Sequence, residues 1–351
     1  MMTTITEALK RLPKVELHCH IEGTMRSSTV VELAERHGIA LPTSDPTKLY
    51  RYTSLDTFLE IFWLVQSVLG DRGDWARLAY ESVIDGAEHG LAYRETFFTP
   101  ARHLDAGQQL GDIIAGLAEG LEAAEEATGA QVALIADIDR AYGPGPGLEM
   151  VEQLVELRRV GAPGTDRVLG IGLDSTELGV DPRDFVDAYE LAGRSGLRRT
   201  SHQGEVTPPT TIQAGVDVLG CERIDHGLTL LDDPELTQRF VDERIPMTVC
   251  PNSNIRIANA YPRLEEHPYA RMRELGLLAT LNTDDPALTD LDLTYEYRSV
   301  KEAFDYTWDD MVAIALDGVE ASWLDDEDAR SLRARITTVA DQLTKELDGE
   351  G

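Results

Sequence analysis

The sequence predicts an α/β fold, a closed (β/α)8 barrel, from three observations. Short strand-like runs alternate with helical patterns along the 351 residues, and eight such strand–helix units can be counted. Alternation of this kind predicts a parallel sheet with right-handed crossovers, and eight units fit a closed barrel. An open, doubly wound sheet is the alternative, but no GxGxxG motif follows the first strand.

The elements follow one another in a regular order. The predicted strands are Val15–His20, Tyr93–Phe98, Val132–Asp137, Val168–Asp174, Arg199–His202, Arg223–His226, Met247–Cys250 and Leu278–Asn282. Helical segments lie between them, for example Leu148–Val160 and Pro182–Gly196. The second begins with proline and ends with glycine, as helix boundaries commonly do. The run GPGPG, Gly143–Gly147, predicts a turn. Because α/β barrels exceed the ordinary domain length, we expect residues 1–351 to form a single domain.

One connection is much longer than the others. Residues 26–91, between the first two strands, predict a helical insertion that includes the apolar helix LDTFLEIFWLVQSVLG at residues 55–70. Two interpretations of this helix stay open, ordinary packing against the barrel or a lid over its mouth. After Asp284 the pattern is mostly helical, which predicts a helical C-terminal extension.

The composition limits the classes of partner. The chain carries 63 acidic and 32 basic residues, a formal net charge of −31, which repels polyanions. We therefore expect a small-molecule substrate and neither nucleic acid nor membrane as a partner. The three cysteines are too few and too widely spaced for a disulfide framework. No apolar N-terminal segment or bilayer-length apolar run occurs, so we expect a cytoplasmic enzyme, with no signal for its oligomeric state.

Chemistry-bearing residues lie at the predicted strand ends. His18 and His20 are two positions apart on one strand and so share a face, which suits either a metal ion or two solvated polar groups. Other strand ends carry Asp174 to Glu177, His202 to Glu205, Asp225 with His226, and Asp284 with Asp285. Strand carboxyl ends converge at the mouth of such a barrel, and imidazoles with a carboxylate suit Zn²⁺. The remaining histidines, in helical or loop patterns, predict surface or capping roles: His37, His89, His103 and His267.

Absent motifs narrow the kind of metal site. The sequence has no HExxH, no Walker A motif and no HxE…PCxxC signature of cytidine-deaminase zinc sites. No lysine occurs between Lys48 and Lys301. A Schiff-base mechanism and a two-metal centre bridged by a carbamylated lysine both need such a lysine, so a single metal ion is favoured.

Five stretches of the chain resemble the adenosine deaminase family, which includes adenine deaminases. They are PKVELHCHIEG, SHQGE, RIDHG, VCPNSN and LNTDDP, and they lie in order between Pro13 and Pro286. The resemblance implies a (β/α)8 barrel with one Zn²⁺ and hydrolytic loss of the 6-amino group of a purine as ammonia. It implies four metal ligands, His18, His20, His202 and Asp284.

The resemblance also implies roles at the substrate. Glu205 matches the proton donor to purine N1, His226 the residue that orients the attacking hydroxide, and Asp285 the partner of N7. His226 and Asp284 can take the proton of the hydroxide. Further contacts with the substrate are expected from Glu22, Asp174, Ser175, Thr176, Glu177 and Gly204.

Two residues depart from the common family pattern and leave the substrate open. Gln203 stands where alanine is usual, which puts the pocket shape in doubt and favours a modified adenine nucleoside of a biosynthetic pathway. Glu22 stands where nucleoside-type members have aspartate, which favours adenine over adenosine unless it only caps the next helix. A catalytically inactive purine-binding or signalling relative is a third hypothesis, but the full ligand set and Glu205 argue against it.

Overall fold

The computed structural model describes residues 3–52, 55–258 and 260–349. In these ranges the strands are β1 (Lys14–Glu16), β2 (Leu91–Phe98), β3 (Gln131–Asp139), β4 (Val168–Asp174), β5 (Arg198–Arg199), β6 (His202–Gln203), β7 (Ile224–His226), β8 (Met247–Val249) and β9 (Ala279–Leu281). All paired strands run parallel, as the alternating pattern predicts. None of the helices in these ranges is both long and apolar enough to cross a membrane.

Helices separate the strands in the described ranges, except between β5 and β6. Before β2 lie α1 (Ile5–Arg11), α2 (Ser27–His37), α3 (Pro46–Leu49), α4 (Leu55–Ser67) and α5 (Arg72–Glu88). Between β2 and β9 lie α6 (Ala101–Asp105), α7 (Leu110–Thr128), α8 (Pro144–Arg159), α9 (Val186–Arg194), α10 (Pro209–Asp217), α11 (Pro234–Asp242), α12 (Pro251–Arg256) and α13 (Tyr269–Glu274). The C-terminal extension consists of α14 (Leu293–Ala303), α15 (Trp308–Ala321) and α16 (Asp326–Leu347).

The nine segments occupy eight positions of one barrel. β5 and β6 belong to the same barrel strand, whose ladder is interrupted at Thr200 and Ser201. Thr200 N–H still donates to Ile171 of β4 at 3.0 Å, and Ser201 C=O accepts from Asp225 of β7 at 2.9 Å. The interrupted strand therefore joins the two hydrogen-bonded sheets, and the predicted (β/α)8 fold is confirmed.

The last strand closes the barrel against the first. His20 N–H donates to Asp284 C=O at 2.9 Å, and Asp284 N–H donates to His18 C=O at 3.2 Å. Asn282, fully buried, accepts from Leu17 N–H at 2.8 Å and donates to Val249 C=O at 3.1 Å. Closure therefore brings the carboxyl end of β9 directly beside His18 and His20.

The opposite end of the barrel is closed by the C-terminal extension. Arg223 and Glu95, both fully buried, form an ion pair at 2.6 Å inside the barrel. Trp323, between α15 and α16, donates its backbone N–H to Glu95 at 2.6 Å. The Trp323 ring lies 4.0 Å from the Arg223 guanidinium. Because a buried charge is costly unless it is paired, these contacts serve stability at the end away from the strand carboxyl termini.

The long insertion contributes both packing and a wall near the barrel mouth. Phe58 of α4 is buried, and its ring stacks with that of Phe62 at 6.1 Å. The Phe62 ring in turn lies edge-on to the His20 ring at 6.4 Å. Trp63, on the next position, is 43% exposed and lies 4.8 Å from the Arg102 guanidinium. Within the predicted insertion, residues 53 and 54 lie outside the described residues, and the lid stays a prediction.

The turn predicted at GPGPG is wrong for its last four residues. Pro144 is the first residue of α8, which continues to Arg159. Proline is favoured at the start of a helix because the first N–H groups have no intrahelical acceptor, so its missing donor costs nothing there. Only Gly143 stands outside the helix, with a φ of 84°.

The closure of the barrel predicts a large stability effect at Asn282. Asn282→Ala leaves the buried Leu17 N–H without its acceptor, whereas Val249 C=O keeps the backbone N–H of residue 282 as its donor. A buried unsatisfied group costs roughly 1–3 kcal/mol, and we expect the free energy of unfolding, measured by urea denaturation, to fall by about that amount. The control is Gln238→Ala, which removes an exposed hydrogen bond to Asp242. Equal denaturation midpoints for the two variants would contradict this account.

Candidate active site

Four ligand atoms converge at the mouth of the barrel. His202 Nε2 lies 3.1 Å from His18 Nε2 and 3.2 Å from His20 Nε2. Asp284 Oδ1 lies 3.2 Å from His18 Nε2 and 3.4 Å from His20 Nε2. These four separations, between 3.1 and 3.4 Å, are short enough for the atoms to share one ion with bonds of about 2.0–2.1 Å. The structure thus brings together all four predicted metal ligands.

The far side of each imidazole faces an oxygen. His18 Nδ1 donates to Thr248 Oγ1 at 2.9 Å, because the Thr248 hydroxyl itself donates to Asp225 at 2.7 Å. His202 Nδ1 lies 3.8 Å from Asp225, and His20 Nδ1 lies 3.7 Å from Asp137. Protons held on Nδ1 leave the Nε2 lone pairs free for a metal ion, which is the usual arrangement around metal-bound histidine.

Burial favours the neutral form of the His20 and His202 imidazoles. Burial lowers the pKa of His20 to about 3 and lowers the pKa of His202 well below its ordinary value. Burial acts against ionisation of Asp284, but the neighbouring imidazoles, His18 first, lower its pKa overall. Neutral imidazoles and an ionised carboxylate are the forms that bind a divalent metal.

The backbone is held in an unusual conformation at two strand ends. Asp284 has a φ of 67° and His226 a φ of 62°, in the left-handed region that non-glycine residues seldom adopt. Ser253 donates its hydroxyl to the second oxygen of Asp284 at 2.6 Å, which leaves Oδ1 toward the imidazoles. Strained residues of this kind concentrate at functional sites because surrounding contacts hold them there.

Glu205 and His226 share one hydrogen-bonding partner. Asn254 Nδ2 donates to Glu205 Oε1 at 2.8 Å and lies 3.1 Å from His226 Nδ1. The Glu205 carboxyl and the His226 ring are themselves 3.8 Å apart. Burial raises the pKa of Glu205, so this carboxyl holds its proton to a higher pH than a free glutamate.

Glu177 and Gly204 shape the loop that carries Glu205, and their predicted contact with the substrate stays a prediction. Glu177, which is buried, accepts from Gly204 N–H at 3.0 Å and from Glu205 N–H at 2.9 Å, and it also binds the Thr207 hydroxyl. Its carboxylate therefore holds the loop that carries Glu205. Gly204 adopts a φ of 72°, and a Cβ there would lie 2.4 Å from Ile212. Both residues shape the loop, because their polar groups are already used within it.

Glu22, Asp174 and Asp285 are carboxyl groups with unpaired oxygens beside the ligand cluster. Glu22 accepts from Thr99 N–H at 2.8 Å, and Asp174 accepts from the Thr99 hydroxyl at 2.6 Å. Within the described ranges, the second oxygen of each is buried without a hydrogen-bond partner, and so is Asp285 Oδ1. Gly23 makes room for Asp285, since a Cβ there would lie 1.9 Å from that oxygen. These oxygens can accept N–H or O–H groups from a ligand.

The doubt about the pocket that Gln203 raises is removed. Gln203 follows His202 on β6, so its side chain points to the opposite face of the strand. It donates to Ser201 Oγ at 2.8 Å, and its Cγ packs where Gly215 of α10 leaves space. The substitution therefore changes the contact between strand and helix and not the cavity.

Ser175 and Thr176, which follow Asp174, have exposed side chains. Ser175 has a φ of 71°, and Thr176 Oγ1 accepts from Leu178 N–H at 3.4 Å. Their contact with the substrate stays a prediction.

The prediction of surface or capping roles is wrong for His103, which is buried with its ring edge-on to Trp75 at 4.7 Å. His267 is buried too, but it does cap α13, since its Nδ1 accepts from Tyr269 N–H at 3.1 Å, and its other ring nitrogen lies 3.2 Å from Asn254. His37 and His89, which are partly exposed, lie near Asp74 and Asp292 at 2.7 and 3.1 Å. The hydrophobic periodicity of a sequence does not show whether a polar residue of a helix is exposed to solvent or covered by a neighbouring segment.

Sequence reasoning missed several residues that support the site. The motif VCPNSN contains Ser253 and Asn254, but nothing in its spacing shows which side chains turn inward. Asp137 ends a predicted strand and could have been included on that ground, since strand ends line the mouth of a barrel. Its two oxygens are buried and lack a hydrogen-bond partner among the described residues.

Comparisons with known proteins agree with this geometry. The sequence model of the adenosine deaminase family, described as "Adenosine deaminase", matches residues 13–339. An adenine deaminase from Streptomyces coelicolor is 38% identical over 332 residues, 94% of this chain and 95% of that protein.

Two solved structures are similar over nearly the whole chain. The crystal structure of adenine deaminase from Arthrobacter aurescens has 32% identity and a TM-score of 0.87, covering 94% of this chain and 99% of that one. An amidohydrolase from Burkholderia ambifaria, crystallised with bound Zn, has 30% identity and a TM-score of 0.89, covering 99% and 96%. From its sequence match and its fold, the chain belongs to the adenosine deaminase family.

Proposed function

We propose that the protein converts free adenine to hypoxanthine and ammonia with a single Zn²⁺ ion. Membership of the family makes the chain a metal-dependent aminohydrolase of 6-aminopurines. The observation that carries the choice of adenine is the buried Oε2 atom of Glu22, which lacks a partner in the described part of the chain. The relatives named adenine deaminase, up to 38% identical among those compared, support the same choice.

The unpaired oxygens of Glu22, Asp174 and Asp285 are best satisfied by a ligand that carries hydrogen-bond donors. Free adenine carries a ring N–H in its imidazole portion, and a nucleoside has a sugar at that nitrogen instead. Glu22 is fully buried and is fixed by Thr99, so it can accept such an N–H without moving. A buried acceptor left unpaired by an analogue lacking the donor discriminates strongly against that analogue.

The charge of the cavity disfavours phosphorylated substrates. Glu22, Asp174 and Asp285 face the same region, where burial first and then mutual repulsion raise the pKa of Asp285. A phosphate group would meet these carboxyl groups at low dielectric, where repulsion is strong. A neutral purine base avoids this cost.

The donor set fits zinc. His18, His20, His202 and Asp284 would hold the ion through three nitrogens and one oxygen, and water would be a fifth ligand, a number that zinc accepts. When bound, zinc supplies hydroxide at neutral pH because it lowers the pKa of water to about 7. The zinc reported in the amidohydrolase from Burkholderia ambifaria supports this assignment.

The residues around the four metal ligands have separate roles in proton transfer, in orienting the attacking oxygen and in binding the purine ring. Glu205 donates a proton to ring nitrogen N1, which makes C6 electrophilic, and its raised pKa suits that role. His226 donates its Nε2–H to the attacking oxygen and so orients it on one face of the ring, and Asp284 takes the proton of that oxygen. Asp285 faces N7, which has no proton when the ring N–H faces Glu22, and burial raises the pKa of Asp285, so its carboxyl can donate a hydrogen bond to N7. As the C6–O bond becomes a carbonyl, the protonated 6-amino group leaves as ammonia, so water and adenine balance hypoxanthine and ammonia.

Two competing hypotheses lose their support. The modified nucleoside was favoured by Gln203, whose side chain points away from the cavity. The inactive relative is disfavoured because the ligand atoms, Glu205 and His226 all converge. The free, buried Cys19, Cys221 and Cys250 fit a reducing compartment, and we propose a cytoplasmic location.

The ligand set predicts one bound divalent ion per chain. His18→Ala and Asp284→Ala each remove one of four ligands, so we expect elemental analysis of the purified variants to find most of the metal lost. His89→Ala is the control, because His89 lies outside the site and near Asp292. Two tightly bound ions per wild-type chain, or full retention in both ligand variants, would refute the mononuclear site.

Glu205→Gln tests the proton donor. Glutamine keeps the size of the side chain and can hydrogen-bond Asn254, but it has no carboxyl proton to give. General acid catalysis contributes roughly 10²–10⁴-fold, and we expect kcat to fall within that range with the metal content intact. Turnover close to that of the wild type would remove Glu205 from the mechanism.

Glu22→Asp tests the choice of substrate. Shortening the side chain by one methylene withdraws the carboxylate from the ring N–H, and loss of that charged hydrogen bond costs about 1.5–3 kcal/mol. We expect kcat/KM for adenine to fall by roughly 10- to 100-fold while kcat/KM for adenosine does not fall. Glu35→Asp, on the exposed face of α2, is the matched control. An unchanged ratio of adenine to adenosine would mean that Glu22 does not set specificity.

A further inference from the structure

A buried hydrogen-bonded chain leads away from Glu205 and His226 to a residue that no motif includes. His267 precedes α13 and is 3% exposed. Its Nε2 lies 3.2 Å from Asn254 Oδ1, and the Asn254 amide nitrogen contacts both Glu205 and His226. Asn254 is itself fully buried, so bulk solvent does not compete for these bonds.

The backbone sets the position of the proton on His267. Tyr269 N–H donates to His267 Nδ1 at 3.1 Å, so this nitrogen is an acceptor and carries no proton. A neutral imidazole has one N–H, which must then be on Nε2 and must point at Asn254 Oδ1. Burial lowers the pKa of His267 to about 3, in agreement with the neutral ring.

Because His267 Nε2 is a hydrogen-bond donor, the orientation of the Asn254 amide is fixed as well. Its oxygen accepts from His267, so its NH₂ group faces the site, with one N–H for Glu205 Oε1 and one for His226 Nδ1. His226 Nδ1 is therefore an acceptor, and the neutral His226 ring carries its proton on Nε2. When Glu205 is protonated, its proton is on Oε2, because Oε1 already accepts a hydrogen bond.

We propose that His267 is a positioning residue that sets the protonation geometry of the site through Asn254. It holds the amide in one of its two orientations, and the amide selects the tautomer of His226 and the oxygen of Glu205 that carries the proton. The opposite amide orientation would place a carbonyl oxygen against both groups and would reverse each donor. The kinetic part of this inference rests on the proposed function, whereas the tautomers do not.

The tautomers can be measured in the wild-type holoenzyme without substrate. Protein labelled with ¹⁵N-histidine is studied by two-bond ¹H–¹⁵N correlation, with the two rings assigned from spectra of His226→Gln and His267→Gln. We expect both rings to be protonated on Nε2. A proton on Nδ1 of either ring would overturn the inference, whatever the substrate of the enzyme is.

Two substitutions distinguish the effect of the His267 hydrogen bond from the effect of the volume that the His267 ring fills. His267→Gln offers an amide N–H that can donate to Asn254, whereas His267→Leu offers none. For the leucine variant we expect kcat to fall by roughly 10- to 100-fold, with KM within about threefold and unchanged metal content. For the glutamine variant we expect most of kcat to return.

The control is His103→Leu, which removes a buried histidine that packs against Trp75 and lies outside this chain of hydrogen bonds. Equal losses in the leucine and glutamine variants, or a loss confined to KM or metal content, would overturn the inference. Rates are measured on whichever 6-aminopurine the wild type deaminates, so a failure of adenine as substrate is seen separately. If His267→Leu does not fold, the tautomer measurement on the wild type decides.

Discussion

The candidate site depends on the hydrogen-bonded closure between the first and last strands of the barrel. His18 and His20 come from one end of the sequence and Asp284 from the other, and their backbones pair directly through two hydrogen bonds. The same pairing holds Asp284 in its left-handed conformation, from which its carboxylate reaches both imidazoles. A small shift of register at this seam would separate the ligands, because strand neighbours point to opposite faces.

The electrostatics of the site follow from burying acidic groups beside neutral imidazoles. Burial raises the pKa of Glu22 to about 7, and burial raises the pKa of Asp174 and Asp285 well above their usual range. Such groups are stabilised by a ligand that brings hydrogen-bond donors or by a cation. A divalent ion at the four ligand atoms and a purine base at the carboxyl groups satisfy both needs at once. The strongly acidic surface, with a net charge of −31, agrees with a small uncharged substrate.

The fold and the ligand cluster could be predicted because they depend on periodicity and on strand ends. His18, His20, His202 and Asp284 each follow or end a strand-like run, and a barrel brings such ends together. The contacts of Gln203, Glu177 and His267 cannot be predicted in the same way. The orientation of Gln203 depends on the exact register of β6, and Glu177 depends on how its loop meets the Glu205 loop. His267 is far in sequence from its partners, and only the folded chain shows that it reaches Asn254.

The central claim is that one metal ion and the carboxyl groups of Glu205 and Glu22 face a purine base from different sides. A crystal structure of the zinc-loaded protein with hypoxanthine bound tests it directly. We expect a single ion held by His18, His20, His202 and Asp284, with Glu205 toward N1 and Glu22 about 3 Å from the ring N–H of the imidazole portion. A second ion in the site, or a base whose imidazole portion points away from Glu22, would contradict the account.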